Sequence, residues 1–423
     1  MNINELKNKR ILILGLGKEG LDTLNFLRRL FPDKIIGVGD RSENQKSKIK
    51  NKKNRIKWNL GKDYLKAIKN YDLVIKSPGI PIHLPEIEKA YRQNKITSQT
   101  DIFFENCPGR IIGITGTKGK STTTTLIYEI LKAGGIKAHL IGNIGKPVLN
   151  LLFSATKKEV YVYELSSHQL YNLKKSPQVA VILNIYKEHL DYYKNFNEYK
   201  NAKTNITRYQ KKDNFFIYNS KDKEASKIAK KSKAQKIPIK GEYYDLDIAA
   251  ARAVGKIFKI STTKIDGAIK NFKPLPHRLE YVGTFRRIKF YNDSLSTIPE
   301  TTIAALDYLG NKVQTLFLGG FERKLSFEKL AKRILKSRIK NLVLFPTTGI
   351  KIWKEILKQN KSKKTFNTFF IDNMKDAVKW SYENTDKGKI SLLSCASSSF
   401  SIFKDYKEKG NLFKKYVRKY GKI

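Results

Sequence analysis

The sequence predicts an α/β protein of three domains with mostly parallel sheets, on three observations. Short apolar runs alternate with longer helical stretches, the pattern of strands joined by crossover helices. Two of those runs, residues 11–14 and 111–114, pass directly into glycine-containing turns that open helices. At 423 residues the chain is also too long for one hydrophobic core.

Residues 1–107 are expected to form the first domain. The run 11–14 reads as a strand, Gly15-Leu16-Gly17-Lys18-Glu19-Gly20 as the turn, and the stretch to Leu30 as a helix. A second strand at 34–38 leads to Asp40. This is a dinucleotide fingerprint in outline: backbone at Gly17 and the helix N-terminus face a phosphate, and Asp40 accepts from a ribose hydroxyl or a base N–H. A strand at 72–76 delivers Ser77-Pro78-Gly79-Ile80-Pro81 to the sheet's carboxyl edge, where open α/β sheets bind ligands.

Residues 108–274 are expected to form the second domain, entered through a Cys107-Pro108-Gly109 linker. Thr115-Gly116-Thr117-Lys118-Gly119-Lys120-Ser121 follows the strand 111–114 and precedes a helix at 122–132. Such a turn points successive N–H groups and the positive end of a helix at one polyphosphate, with Lys120 on the terminal phosphates and Ser121 on Mg²⁺. Ile114 stands where the ordinary Walker pattern needs glycine, and Gly113 is one place early. The loop is therefore a variant in which threonines flank one early glycine. Further strands are expected at 160–165, 179–183 and 214–218, and the lysine-rich stretch 221–236 reads as solvated helix or loop. Glu164 ends a strand near the phosphate loop, where a carboxylate suits Mg²⁺. His189 sits in the adjacent loop, and Asn143 lies in Gly142-Asn143-Ile144-Gly145. On composition alone Lys203 reads as part of a solvated helix face.

Residues 275–423 are expected to form the third domain, beyond the stiff Pro274-Leu275-Pro276 hinge. Strands are expected at 287–291, 313–318, 341–345 and 390–393. His277-Arg278-Leu279-Glu280 follows the hinge, where an arginine between domains reaches phosphates and stabilises transferring charge. Asn292-Asp293-Ser294 follows a strand and suits ribose or Mg²⁺.

The formal charge of +46, from 84 Lys+Arg against 38 Asp+Glu, raises a nucleic-acid partner as a possibility. The lysines are spread along the whole chain among many Asn and Ile, so compositional drift explains them better. Cys107 and Cys395 lie far apart without a Cys-x-x-Cys partner, against both a disulfide framework and a zinc site. The polar start and the lack of a membrane-length apolar run imply a cytoplasmic protein with no membrane partner.

In order, the phosphate loop, Glu164-Leu165-Ser166-Ser167, Asn184 with His189 and Asp191, Tyr199 to Lys203, Leu275 to Glu280 and Asn292-Asp293-Ser294 resemble the Mur ligases over nearly the whole chain. Within that family, Gly15 to Gly20 and Ser77 to Pro81 resemble the branch that adds glutamate. The resemblance implies Rossmann-like N- and C-terminal domains around a P-loop ATPase-like central domain. It implies a monomer that uses ATP to join glutamate, in the D form, to UDP-N-acetylmuramoyl-L-alanine through an acyl phosphate, in peptidoglycan precursor synthesis. It also assigns roles. Gly116, Thr117, Lys118, Gly119, Lys120, Ser121 and Thr122 hold the phosphates of ATP, with Asp247, Arg278 and Asp293 as further ATP contacts. Ser121, Glu164, His189 and a carbamylated Lys203 hold two Mg²⁺ ions. Gly17, Asp40 and Ser77 take the UDP end and Asn143 the nucleotide-linked substrate, while Thr297, Arg323 and Ser399 lie on the amino-acid side.

The chain departs from the family on that last side. Leu295 stands where the family has lysine, Tyr243-Tyr244-Asp245-Leu246-Asp247 replaces the usual adenine-binding His-Asn pattern, and Ser399-Phe400-Ser401 lacks the expected Pro and Asp. Arg323 or Lys324 is the candidate for another missing lysine. An L-glutamate-adding ligase on the same nucleotide, or one adding another amino acid, therefore stays open, as does a basic P-loop NTPase that binds nucleic acid.

Overall fold

The computed structural model describes residues 1–49, 55–144, 148–189, 192–273, 275–323 and 325–422. Gly145, Asp191, Pro274 and Lys324, named above, lie outside the described residues. Contacts divide the chain into two compact units, Met1–Phe272 and Lys273–Ile423. The first holds two sheets and the second one, giving an α/β architecture of three sheets. The expected 107/108 boundary falls inside the first unit, between its two sheets.

The first sheet consists of β1 (Ile11–Leu14), β2 (Ile36–Asp40), β3 (Ile56–Leu60), β4 (Leu73–Lys76) and β5 (Ile96–Thr97), parallel, in the order β3-β2-β1-β4-β5. Its helices are α1 (Lys18–Leu30), α2 (Pro85–Arg92) and α3 (Gln99–Asn106). All four side chains of central β1 are buried, as expected for a parallel strand covered on both faces. Leu14 lies opposite both Gly39 and Lys76. The residues that follow, Gly15, Asp40 and Ser77, therefore emerge side by side at the carboxyl edge.

The second sheet consists of β6 (Arg110–Thr115), β7 (Ala138–Gly142), β8 (Val160–Glu164), β9 (Val179–Ile182), β10 (Phe215–Asn219) and β11 (Gln235–Ile239), all parallel, in the order β11-β10-β9-β6-β8-β7. Helices α4 (Lys120–Ala133), α5 (Ser167–Leu170), α6 (Phe196–Arg208), α7 (Lys223–Lys231), α8 (Tyr244–Ile257) and α9 (Thr262–Asn271) belong to this part of the chain. Glu164 lies opposite both Ile114 and Gly142, and Thr115 lies opposite Ile182. One edge thus gathers the phosphate loop, Glu164, Asn143 and Asn184.

The second unit contains β12 (Glu280–Phe285) and β13 (Ile288–Asn292), an antiparallel hairpin, followed by parallel strands β14 (Val313–Gly319), β15 (Asn341–Phe345), β16 (Asn367–Phe370) and β17 (Ile390–Leu393). The strand order is β12-β13-β17-β14-β15-β16. Asn292 pairs with Leu393, so Asp293 and Ser394 leave the sheet together. The stretch 221–236 corrects one expectation: α7 is the solvated helix, but its end enters β11, an edge strand that tolerates Pro238. No helix among the described residues is long and apolar enough to cross a membrane.

Candidate active site

The phosphate loop is held from below by the neighbouring strand end. Asn184 accepts from the Lys118 N–H at 2.8 Å and donates to the Lys118 carbonyl at 3.1 Å, while its own carbonyl accepts from the Thr117 N–H at 2.8 Å. Buried Thr117 shares a hydrogen bond with Tyr199 Oη at 3.0 Å. Gly119, the N-cap of α4, has φ +91°, a left-handed conformation that favours glycine. A Cβ there would stand 2.6 Å from Asp247 Oδ1. Lys120 Nζ donates to the carbonyls of Gly116 and Thr117, both at 3.0 Å, so the cation lies over its own loop. Ser121 and Thr122 form the first turn of α4, and the buried Thr122 hydroxyl has no hydrogen-bond partner among the described residues.

A cleft of about 300 Å³ opens beside this loop and brings together Lys120, Asn143, His189 and Lys203, four residues singled out from sequence, with Pro78 and Gly79 from the first sheet's edge. Lys203, on the inner face of α6, is fully buried, which corrects the solvated-face reading from composition. Its Nζ donates to the Gly116 carbonyl at 2.9 Å and the Thr115 hydroxyl at 3.3 Å. Burial, then Lys120 and Lys118, push its pKa well below the usual lysine range, against Glu188 and Glu164. The amine is therefore poised to be neutral. Glu164 is buried, and its Oε2 accepts no hydrogen bond among the described residues. Such an oxygen is open to a cation. His189 adopts φ +58° and packs its ring 4.8 Å from that of His168.

Two residues that sequence reasoning passed over belong to the same cleft. Glu188 bonds Lys118 at 3.0 Å from 70 positions away. Burial opposes its ionisation, but Lys118, His189 and Lys120 outweigh it and hold the carboxyl at about 2. His168 is lowered to about 3 by burial, then by His189, Lys203 and Lys76, and is neutral. Its position after Glu164-Leu165-Ser166-Ser167 was the available signal.

The other sequence-predicted residues sit around this centre. Asp40 accepts from the N–H groups of Leu16 at 2.7 Å and Ser42 at 2.8 Å, pinning the turn that contains Gly17. Ser77 Oγ donates to the Gly15 carbonyl at 2.7 Å. Asp247, expected at adenine, is buried behind the loop, where its Oδ1 accepts from Thr123 Oγ1 at 2.7 Å.

In the second unit, buried Asp293 accepts from the Leu279 N–H at 3.0 Å and from the hydroxyls of Ser394, at 2.8 Å, and Ser296, which orders the loop that carries Arg278. Asn292 donates to His277 Nδ1 at 3.0 Å. Thr297 is half-buried and Arg323 exposed, while buried Ser399 has a hydroxyl without a hydrogen-bond partner among the described residues. A bridge between Phe321 and Ser398 lays the last two segments alongside.

No group of three or more His, Cys, Asp or Glu suited to a metal occurs among the described residues. Mg²⁺ does not require one, since it commonly takes one or two carboxylates and completes its shell with phosphate oxygens and water. The orphan oxygen of Glu164 beside a phosphate loop fits that pattern.

Comparison with known proteins is consistent along the chain. The family model for the Mur ligase middle domain matches residues 114–277, and that for the Mur ligase MurD-like N-terminal domain matches residues 9–97. The UDP-N-acetylmuramoylalanine–D-glutamate ligase of Clostridium tetani is 32% identical, covering 99% of both chains. That of Acetivibrio thermocellus is 33% identical, covering 98% of this chain and 97% of its own. The crystal structure of MurF ligase from Thermotoga maritima in complex with ADP superposes with a TM-score of 0.59 at 16% identity, covering 99% and 98% of the two chains.

Proposed function

The chain belongs to the Mur ligase family, and from that premise we propose how its site works. It is an ATP-dependent ligase that joins D-glutamate to UDP-N-acetylmuramoyl-L-alanine in peptidoglycan precursor synthesis. The substrate carboxylate attacks the γ-phosphorus of ATP and ADP leaves. The amino nitrogen of D-glutamate then attacks the acyl phosphate carbonyl, losing a proton as inorganic phosphate departs. The chain provides no nucleophile of its own, so its contribution is positioning and charge neutralisation.

Lys120 leaves the carbonyls of Gly116 and Thr117 for the terminal phosphates, and the N–H groups of the loop hold the others. Ser121, Glu164, His189 and Lys203 as a carbamate would hold two Mg²⁺ ions, which when bound supply neutralising charge on the phosphates. The depressed, buried amine of Lys203 supports the carbamate, because only a neutral amine adds CO₂. Glu188 keeps Lys118 beside the cleft. Gly17, Asp40 and Ser77 orient the UDP end through their turns, and Asn143 meets the muramoyl-alanine. Asp247, Arg278 and Asp293 serve ATP, and Thr297, Arg323 and Ser399 serve glutamate. The enzyme acts as a cytoplasmic monomer.

The observation that carries this reading is the convergence of Lys120, Asn143, His189 and Lys203 on one cleft beside the orphan oxygen of Glu164. Its test is incubation with ATP, Mg²⁺ and UDP-N-acetylmuramoyl-L-alanine, offering D- and L-glutamate separately and weighing the products. D-glutamate should be joined. Full ATP turnover without the nucleotide-linked substrate, or joining of the L form alone, would overturn it.

A further inference from the structure

Lys76 is a buried cation that the proposed reaction does not use. It ends β4, and its Nζ donates to the carbonyls of Ser77 at 3.2 Å and Ile80 at 2.8 Å, and to Tyr192 Oη at 3.4 Å. Tyr192 in turn donates to the carbonyls of Pro78 and Ile80, each at 3.1 Å. Within the segment from Ser77 to Pro81, the Ser77 N–H donates to the Leu14 carbonyl at 2.8 Å and the Ile80 N–H to the Ser77 carbonyl at 3.2 Å, while Pro78 and Pro81 have no N–H to anchor it. The carbonyls of Pro78 and Ile80 are held by donors from outside the segment, Lys76 and Tyr192.

The two donors come from stretches of chain that leave different sheets of the first unit. Lys76 belongs to the strand that delivers the segment, whereas Tyr192 follows His189, whose carbonyl accepts the Tyr192 N–H at 3.0 Å. The His168 ring packs 4.2 Å from that of Tyr192 and 4.8 Å from that of His189. Pro78 and Gly79 line the same cleft as Lys120, His189 and Lys203. The loop expected at the nucleotide-linked substrate is thus bolted to the turn that presents His189.

We infer that Lys76 and Tyr192 are positioning residues for the nucleotide-linked substrate: by holding the carbonyls of Ser77, Pro78 and Ile80 they set where its carboxylate meets Lys120. The inference rests on the reaction proposed above. Neither side chain needs to touch ATP or glutamate, so the effect is specific to one substrate. Loss of a hydrogen bond from a charged donor corresponds to about ten- to a hundredfold in binding, and of a neutral one to about two- to tenfold.

The test is steady-state phosphate release by the full chain and by Lys76→Met, Lys76→Arg, Tyr192→Phe and the Lys76→Met/Tyr192→Phe double variant, varying each substrate in turn, with thermal unfolding alongside. Lys76→Met should raise KM for UDP-N-acetylmuramoyl-L-alanine about tenfold or more and Tyr192→Phe about threefold, with KM for ATP and D-glutamate within about twofold. Lys76→Arg should recover part of the loss, and the double variant should lose less than the product of the single effects. If Lys76→Met does not fold, Tyr192→Phe, which removes one hydroxyl, still decides. Unchanged KM for the nucleotide-linked substrate, or losses that follow the folded fraction for all three substrates, would overturn the inference alone. No turnover by the wild type would overturn the proposed reaction and the inference with it.

Discussion

Replacing Lys203 by methionine should abolish activity while leaving the protein folded. The side chain is fully buried, and methionine fills nearly the same space without a polar atom. The loss on the stability side is two hydrogen bonds, to the Gly116 carbonyl at 2.9 Å and the Thr115 hydroxyl at 3.3 Å. At about 0.5–1.5 kcal/mol each they sum to roughly 1–3 kcal/mol, part of which returns because no amine is buried. A fall in Tm of several degrees is the most this allows. The catalytic loss is larger. Removing one preorganised group from a charge-stabilising site lowers kcat by about 10²–10³-fold. Phosphate release and thermal unfolding, measured on the same preparation, separate the two effects. If the carbamate is real, Lys203→Ala should regain activity with a short carboxylate such as formate, and stripping CO₂ should slow the wild type. Retention of more than about a tenth of the activity by Lys203→Met would refute the role.

Three further outcomes follow from named contacts. Gly119→Ala forces φ +91° on a residue with a Cβ only 2.6 Å from Asp247 Oδ1, so strain and crowding should together destabilise by about 2–5 kcal/mol and weaken ATP binding; an unchanged Tm and KM for ATP would contradict this. Glu164→Gln should keep the fold but lower kcat about 10²–10³-fold and raise the Mg²⁺ concentration needed for half-maximal rate, read from a Mg²⁺ titration. Burial, opposed by the Gln169 hydrogen bond, raises Glu19 to about 7 from 4.5. The folded protein then holds a proton that the unfolded chain releases, so this contribution is full below 4.5 and lost as pH rises through 7, by up to about 3 kcal/mol. Relative to wild type, Glu19→Gln should gain stability between those pH values and level off above them; parallel Tm-against-pH curves would contradict the burial.

What was legible in the sequence was whatever a strand end or a turn must encode locally. The runs 11–14 and 111–114 are buried on both faces and therefore apolar throughout, which made β1 and β6 readable. Strands β3, β7 and β11 are edge or near-edge strands with half-exposed residues, and their mixed polarity hid them. In the site, Lys120, Glu164 and His189 were visible because each ends or follows a strand. Lys203 was visible only through family resemblance, since a helix position reveals burial only once its neighbours are placed. Glu188 depends on Lys118, and Lys76 on Tyr192, across distances in sequence that no local pattern spans.

In the proposed reaction the γ-phosphoryl group of ATP passes to the substrate carboxylate in the cleft beside Lys120. The direct measurement uses UDP-N-acetylmuramoyl-L-alanine whose carboxylate carries isotopically heavy oxygen, with ATP, Mg²⁺ and D-glutamate, and weighs the inorganic phosphate released. One heavy oxygen per phosphate is predicted, because the carboxylate oxygen that attacked phosphorus leaves with it. Phosphate free of the label, with amide product formed, would contradict transfer to the carboxylate.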